Sequence, residues 1–473
     1  AKIADVYRRL FQFKLKLYDP LHSYVSTYLK YRIKKQMMSY KKNISIYAVT
    51  FNVAGVNCPD DLSGLLFPAE IQDKKHHDIY CVGLEEAVDL TPGKMMNTDA
   101  TVKTIWAKTL LNSLNKSQTE HYSLLGMQQL GGVIMFLFTK STELSKIKSI
   151  QYSFHKLGFG GIAANKGAVA ISFEYSATKF CFITSHLSAG LGNIEQRHVD
   201  YKMVNENLRF GNRNMTIGSH GAIIWIGDLN FRINMSNEEA KALITQRNYK
   251  GMLVHDQLHK QMSDGESFPF YEEMDIEFDP TYKFDKNTDT YDTSEKSRIP
   301  AWTDRILSKG SVLEQKAYQS IKAIKFSDHR PVFGIFEAKV MVLDENLKLN
   351  LINNIYARLK KQLENYDVQE RLLILELAEK ELIYSHKEQK RKTISTKNGN
   401  AAVLAEDRKI LAADEIYLRH YYDSNNQRLP PPSDSYQKWW VGEASKPAVV
   451  DINVNPAEYL INLNKTLNPF EEI

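Results

Sequence analysis

An α+β fold, a sandwich of two mainly antiparallel β-sheets flanked by helices, is predicted by two features of this 473-residue chain. Apolar runs of strand length recur through its first half: Ile44–Thr50, Ile79–Leu84, Gly132–Phe138, Gly167–Phe173, Phe180–Thr184 and Ala222–Ile226. Helical spacing of apolar residues lies at the flanks, at Leu21, Tyr24, Val25, Tyr28 and Leu29 and again at Ile352, Ile355, Leu359 and Leu363. Strands at short spacing with no long helix between them favour an antiparallel sandwich over a doubly wound sheet.

Residues 1–43 read as a basic helical entry segment leading into the first strand, and residues 44–340 as the main domain. Residues 341–440 read as a helical extension, with a flexible loop from His386 to Asn400 and a Pro-rich segment, LPPPSDSYQKWW. Residues 441–473 form a tail. The length exceeds one typical core, and 43% hydrophobic with 25% charged residues is ordinary globular composition. The longest apolar run, near Val133 to Phe138, falls far short of the ~20 residues of a membrane span. Ala1 in place of Met, with no signal-peptide pattern after it, gives the expectation of a piece of a longer protein. Cys58, Cys81 and Cys181 fit no zinc motif and predict free thiols in a reducing, cytoplasmic compartment. Net charge is +5, yet residues 1–45 carry eleven Lys or Arg against Asp5 and Asp19. Such a segment suits either the surface of an anionic membrane, to which the chain would bind peripherally, or a solvated helical face.

Candidate chemistry gathers where strands end. In WIGDLNFRI the apolar run closes at Gly227, and Asp228 and Asn230 follow at i and i+2; continued strand geometry would turn both to one side. In SDHRPV, Asp328 and His329 precede Pro331, which a central strand cannot hold. A carboxylate, an amide and an imidazole suffice to activate water beside a metal. Asn52 ends the first strand, and Glu85 and Glu86 the second, offering oxygen to a hard cation such as Mg2+. Gly158 to Val169, GFGGIAANKGAV, reads as a tight loop in which Asn165 and Lys166 offer donors to an anion. His186 follows a strand and, taken alone, reads as structural. Tyr282, Lys283, Lys296 and Arg298 make a second cluster of donors, and Asp304 is placed to hold a histidine ring in one tautomer.

WIGDLNFRI, PAWTDRIL and SDHRPV together resemble the motifs of the inositol polyphosphate 5-phosphatases, members of the endonuclease/exonuclease/phosphatase superfamily related to DNase I, over about Ile44 to Phe336. The resemblance is nearest to synaptojanin-like fungal members, and it implies a DNase I-like sandwich and a Sac-type domain upstream. It further implies Mg2+ at Glu86 with Asn52 close by, Asp228 as the group that activates water with Asn230 beside it, and His329 on the scissile phosphate. By the same resemblance Asp304 orients His329, Asp328 stands next to it, and His186 is a second phosphate contact. Tyr282, Lys283, Lys296 and Arg298 would take the 4-phosphate, and Asn165 and Lys166 the 1-phosphate. The family usually has Gln where this chain has Glu85. The activity implied is Mg2+-dependent hydrolysis of the 5-phosphate of a phosphoinositide in anionic membranes.

Near the C-terminus, Asn468, Pro469 and Phe470 form an NPF tripeptide, expected by chance in only ~0.06 copies at average usage. Asn-Pro favours a turn that presents Phe470, which resembles a ligand for EH domains of endocytic adaptors. The other readings are a catalytically silent phosphoinositide-binding scaffold and a nuclease of the same superfamily. Against the nuclease, no basic excess beyond residues 1–45 offers a groove for nucleic acid.

Overall fold

The computed structural model describes residues 20–32, 38–72, 75–88, 100–158, 163–366 and 368–398. They form two compact units, one within 41–342 and one contributed by both flanks of the chain. In the larger unit, β1 (Ser39–Asn52), β2 (Ile79–Glu85), β3 (Tyr122–Leu130), β4 (Val133–Lys140), β10 (Leu313–Ser320) and β11 (Val332–Leu343) make a six-stranded sheet in the order β10-β11-β1-β2-β4-β3. A five-stranded sheet follows chain order: β5 (Ile147–Gly158), β6 (Ala163–Tyr175), β7 (Thr178–His186), β8 (Ala222–Asp228) and β9 (Asp304–Lys309). Helices α2 (Ser63–Leu66) and α3 (Ala100–Leu114) accompany the first sheet and α4 (Ile194–Asn207) the second, with α5 (Asn237–Thr245), α6 (Tyr249–Leu253) and α7 (Gln257–Ser263) after β8.

The period-two alternation of each strand divides its side chains between two apolar layers. Ile46 and Ala48 of β1 meet Ile171, Phe182 and Ile224 of the second sheet in the central layer. Tyr47, Val49 and Phe51 point the other way, onto Leu65, Trp106 and Leu110 of the helices. On the far side of the second sheet, Ile183, Trp225 and Leu307 pack with Tyr201, Val204 and Phe268. Both sheets are mixed. β1 and β2 run parallel, as do β7 and β8, so within each pair the C-terminal ends lie side by side. The register sets Asn52 opposite Glu85, His186 opposite Asp228, and Asp228 opposite Asp304.

The smaller unit packs α1 (Pro20–Tyr31) with α8 (Glu345–Leu363) and α9 (Val368–Asn398). Leu21, Tyr24, Val25 and Tyr28 face Ile355, Leu359, Ile374 and Leu375, as their three- and four-residue spacing requires. Within that core the buried Glu379 carboxylate accepts hydrogen bonds from Ser23 and Thr27, each at 2.7 Å.

Three local expectations are corrected. Ser39–Lys42 belong to β1 rather than to a helix, because the strand extends beyond its apolar part. His386 to Asn398 continue α9, since Lys, Glu, Gln and Arg are good helix formers even without an apolar face. Asn165 and Lys166 lie within β6, not in a loop. The Pro-rich segment and Asn468–Phe470 lie outside the described residues.

Gly227 adopts φ +149° in β8, and a Cβ there would fall on the Ser185 carbonyl of β7. Gly227→Ala is therefore expected to destabilise the protein by about 3 kcal/mol or more in denaturant melts; an unchanged midpoint would show that β7 and β8 can part at no cost.

Candidate active site

Asp228 is fully buried at the end of β8, where Asn52 Nδ2 donates to its Oδ2 at 3.0 Å and the Asn230 backbone N–H to its Oδ1 at 3.1 Å. His186 Nε2 lies 3.3 Å and His329 Nε2 3.8 Å from Oδ2. Burial alone would push this carboxyl up, but His186, His329 and Lys166 around it hold it well below the usual carboxylate range.

His329 reaches the site from the turn before β11. Its Nδ1 lies 2.9 Å from Asp304 Oδ2, the first residue of β9. Asp304 is fixed in turn, because the hydroxyls of Thr281 and Thr303 donate to the same oxygen at 2.7 and 3.0 Å. The His329 backbone N–H donates to Ser327 Oγ, which donates to the Asn52 carbonyl at 2.6 Å, tying this turn to the end of β1. Nε2 is thereby turned toward Asp228. Burial disfavours a charged ring, yet Asp304, then Asp228 and Asp328, push His329 up to about 10, so it is an imidazolium at neutral pH.

His186 ends β7. Burial, then the neighbouring Lys166 ammonium, push its pKa down. The Lys166 Nζ lies 2.6 Å from His186 Nε2, and burial lowers its own pKa. Asn230 does not continue the strand. It adopts a left-handed φ of +57°, its amide donating to the Leu187 carbonyl at 2.9 Å and accepting from Arg232 at 2.8 Å. Thus the juxtaposition of Asp228 and Asn230 comes from a turn and not from strand alternation.

Glu86 follows β2 with φ +52°, and its carboxylate, about one-third exposed, lies 3.8 Å from His186 Nε2. Asp228, Asp304 and His329 also gather ligand-type atoms within 4.8 Å of one another. Asp304, however, spends its oxygens on two hydroxyls and an imidazole. The partly exposed carboxylate of Glu86 is more open to a hard cation, whereas the Asn52 amide accepts from the Ala54 N–H and donates to Asp228. Glu85 points the opposite way into the interior, where Thr50 and Thr184 donate to its Oε1 at 3.0 and 2.9 Å. Burial, then the charges of Asp228 and Asp304, push its carboxyl well above the usual range. A neutral acid there has the shape of the Gln amide that it replaces.

The second donor cluster is partly assembled. Asp292 draws in Lys283, at 3.8 Å, and accepts from the Arg298 backbone N–H at 2.9 Å. The Tyr282 ring lies 4.5 Å from that of His329, while Lys296 is exposed. Asp328 is half-buried, and its carbonyl accepts from Phe284 N–H. Asn165 Oδ1 is buried without a hydrogen-bond partner among the described residues. Sequence reasoning missed Arg232, a buried guanidinium 4.7 Å above the Tyr282 ring and bonded to Asn230. Its signal was its place inside WIGDLNFRI. The paired threonines Thr281 and Thr303 carried no signal at all.

Residues 49–335 match the family model described as endonuclease/exonuclease/phosphatase family 2. A phosphatidylinositol 4,5-bisphosphate 5-phosphatase of Saccharomyces cerevisiae, INP51, is 44% identical over all of this chain and 48% of its own length. The chain belongs to the inositol polyphosphate 5-phosphatase family. An inositol-1,4,5-trisphosphate 5-phosphatase of Schizosaccharomyces pombe is 34% identical over 96% of this chain and 39% of its own. The chain thus spans half or less of the length of these curated relatives. Among solved structures, a synaptojanin 5-phosphatase domain in complex with inositol (1,4)-bisphosphate and calcium ion superposes with a TM-score of 0.62 at 39% identity. That match covers 74% of this chain and 99% of that domain. The DNase I-like sandwich expected from the motifs is therefore the fold of this chain.

The imidazolium of His329 has a consequence for stability. The folded protein keeps a proton that an unfolded histidine releases near pH ~6.5. This contribution is complete below that pH and is lost as pH rises toward about 10. Denaturant melts should show the stability gap between the native protein and His329→Gln widest near pH ~6 and narrowing toward pH ~10. A gap that widens with pH would contradict the ion pair.

Proposed function

We propose that this chain hydrolyses the 5-phosphate of phosphatidylinositol 4,5-bisphosphate in anionic membranes, with Mg2+ as cofactor. The observation that carries this reading is Asp228, an anion kept ionised in the interior by imidazoles and an ammonium. That arrangement keeps Asp228 in the form that can accept a proton, and the charged His329 beside it can receive the negative charge of a substrate. Support comes also from the relatives, whose names specify 5-phosphatases, and from the inositol bisphosphate in the related domain.

Asp228 Oδ2, held by Asn52, accepts a proton from the attacking water as the new P–O bond forms and the bond to the inositol oxygen breaks. The electron pair leaves with that oxygen, which takes a proton from solvent. His329, fixed by Asp304, presents a charged N–H to the phosphoryl oxygens, and His186 flanks them. Glu86 would hold Mg2+, with Asn52 close by, and the chemistry of that ion is to withdraw charge from the phosphoryl group. Tyr282, Lys283, Lys296 and Arg298 would receive the 4-phosphate, which separates this substrate from a nucleic acid.

Among the described residues, no helix is long and apolar enough to cross a membrane. We place the protein peripherally at the cytoplasmic face of membranes, and Asn468–Phe470 as a ligand for an EH-domain endocytic adaptor. Phe470→Ala should abolish binding of a purified EH domain in calorimetry while phosphate release stays unchanged; unaltered binding would refute the NPF assignment.

Phosphate release from vesicles containing phosphatidylinositol 4,5-bisphosphate should require Mg2+ and vanish with chelator. Asp228→Ala should keep a cooperative melt yet lose at least ~100-fold in rate. Retained turnover in the folded variant would overturn the mechanism.

A further inference from the structure

The parallel pairing of β7 with β8 ends at His186 opposite Asp228, and past that point side chains join the two segments. One of them, Gln257 at the start of α7, reaches both. It is buried, and both donors and both acceptor sites of its amide are used. Its Oε1 accepts from the Arg232 backbone N–H at 3.0 Å and from Arg197 Nη2 at 2.6 Å. Its Nε2 donates to the Leu191 carbonyl at 3.0 Å and to Asn234 Oδ1 at 2.8 Å. The Gln257 backbone N–H donates to the Arg232 carbonyl at 2.9 Å, so Arg232 is held at both ends of its backbone. Arg197, buried in α4, extends the brace, its Nη1 donating to the carbonyls of Ser188 and Gly190 at 3.1 and 2.7 Å. The preceding residue, Asp256, accepts from Arg305 Nη1 at 2.9 and 3.0 Å, and Arg305 follows Asp304 in β9. Two consecutive residues thus tie together the segments that carry His186, Asp228 and Asp304.

Asn230 connects this brace to the chemistry. Its φ of +57° lies in a sparsely populated region, and such a residue stays there only where its surroundings fix it. The turn brings the Asn230 N–H to Asp228 Oδ1 and its Nδ2 to the Leu187 carbonyl, next to His186. Arg232, pinned by Gln257, donates in turn to the Asn230 carbonyl and Oδ1 at 3.1 and 2.8 Å. We propose that Gln257 is a positioning residue for the hydrolysis: its amide locks the Asn230 turn against the loop after His186, and so keeps Asp228 and His186 in contact. The proposal rests on the phosphatase reading given above. Gln257 itself touches no reacting atom and exchanges no proton. Its effect is on the alignment of the groups that do, where a small displacement is costly in rate.

The test is steady-state hydrolysis of phosphatidylinositol 4,5-bisphosphate in vesicles by the native protein and Gln257→Met, which keeps the volume and removes the amide. Rates are read well below every melting midpoint, so that loss of folded protein does not enter. Misalignment of the reacting groups lowers kcat, whereas a weakened hold on the headgroup raises KM. Gln257→Met should lose on the order of 100-fold in kcat, with KM and vesicle binding changed far less. Because Gln257 acts through the Asn230 turn, adding Gln257→Met to Asn230→Ala should cost far less than the product of the two single losses. Native kcat in folded Gln257→Met, a raised KM with kcat preserved, or losses that simply multiply would each overturn the proposal. A native protein that binds the vesicles but releases no phosphate would overturn the phosphatase reading, and the proposal with it. If Gln257→Met does not fold, Gln257→Asn, whose amide is one methylene too short to span both segments, carries the same comparison.

Discussion

Asp228 is an ionised carboxylate without access to bulk water, and burying a charge this way costs several kcal/mol unless partners replace the lost hydration. The partners here come from segments far apart in the chain: Asn52 at the end of β1, His186 at the end of β7, and His329 before β11. The parallel pairing of β7 with β8 brings His186 beside Asp228, and the turn that carries His329 is tied to the end of β1 through Ser327. The apolar layers hold those strands in register. Packing thus sets where the charges meet, and the charges make any slip of register expensive, because a shift of one residue would send Asp228 to the opposite face.

The same neighbourhood explains how a second carboxylate can occupy the interior. Glu85 and Asp228 both lie near the ends of paired strands, but they differ in company. Around Asp228 stand an amide, two imidazoles and an ammonium, whereas Glu85 meets two hydroxyls and the negative charges of Asp228 and Asp304. The first environment favours the anion and the second the neutral acid. Two like residues are thereby driven to opposite protonation states, which is how one pocket can hold both a base and an uncharged support.

Much of this was legible in the sequence. Of the buried strands, β1, β2, β4, β6, β7 and β8 read clearly as apolar runs, because a strand covered on both faces needs apolar residues at nearly every position. In contrast, β9 and β11, which carry Asp304, Arg305, Glu337 and Lys339 among their apolar residues, were not read as strands. Asp228, Asp304 and His329 stood in motifs dense enough to be read together. The edge strands were not legible: β5 and β10 are half-exposed, and their Gln, Lys, Glu and Ser hide the alternation. In β6 the glycines of GFGGIAANKG suggested a loop, and the start of that strand is irregular in its pairing with β5. α9 was cut short at His386 because polarity was read as loop where helix propensity prevailed. Arg232 was passed over beside better-marked neighbours. Thr281 and Thr303 acquire meaning only once the fold brings them to Asp304.

The helical unit has a consequence for how the chain is made. Ser23 and Thr27 of α1 meet Glu379 of α9 across 356 and 352 positions of sequence. At a synthesis rate of roughly 5–20 residues per second, α1 waits on the order of 20–70 s after leaving the ribosome before that partner exists. For all that time the apolar stripe of Leu21, Tyr24, Val25 and Tyr28 has no native cover, while the eleven strands of the sandwich are synthesised and free to fold. The nascent chain thus carries this apolar stripe without its native partner throughout translation of the larger unit.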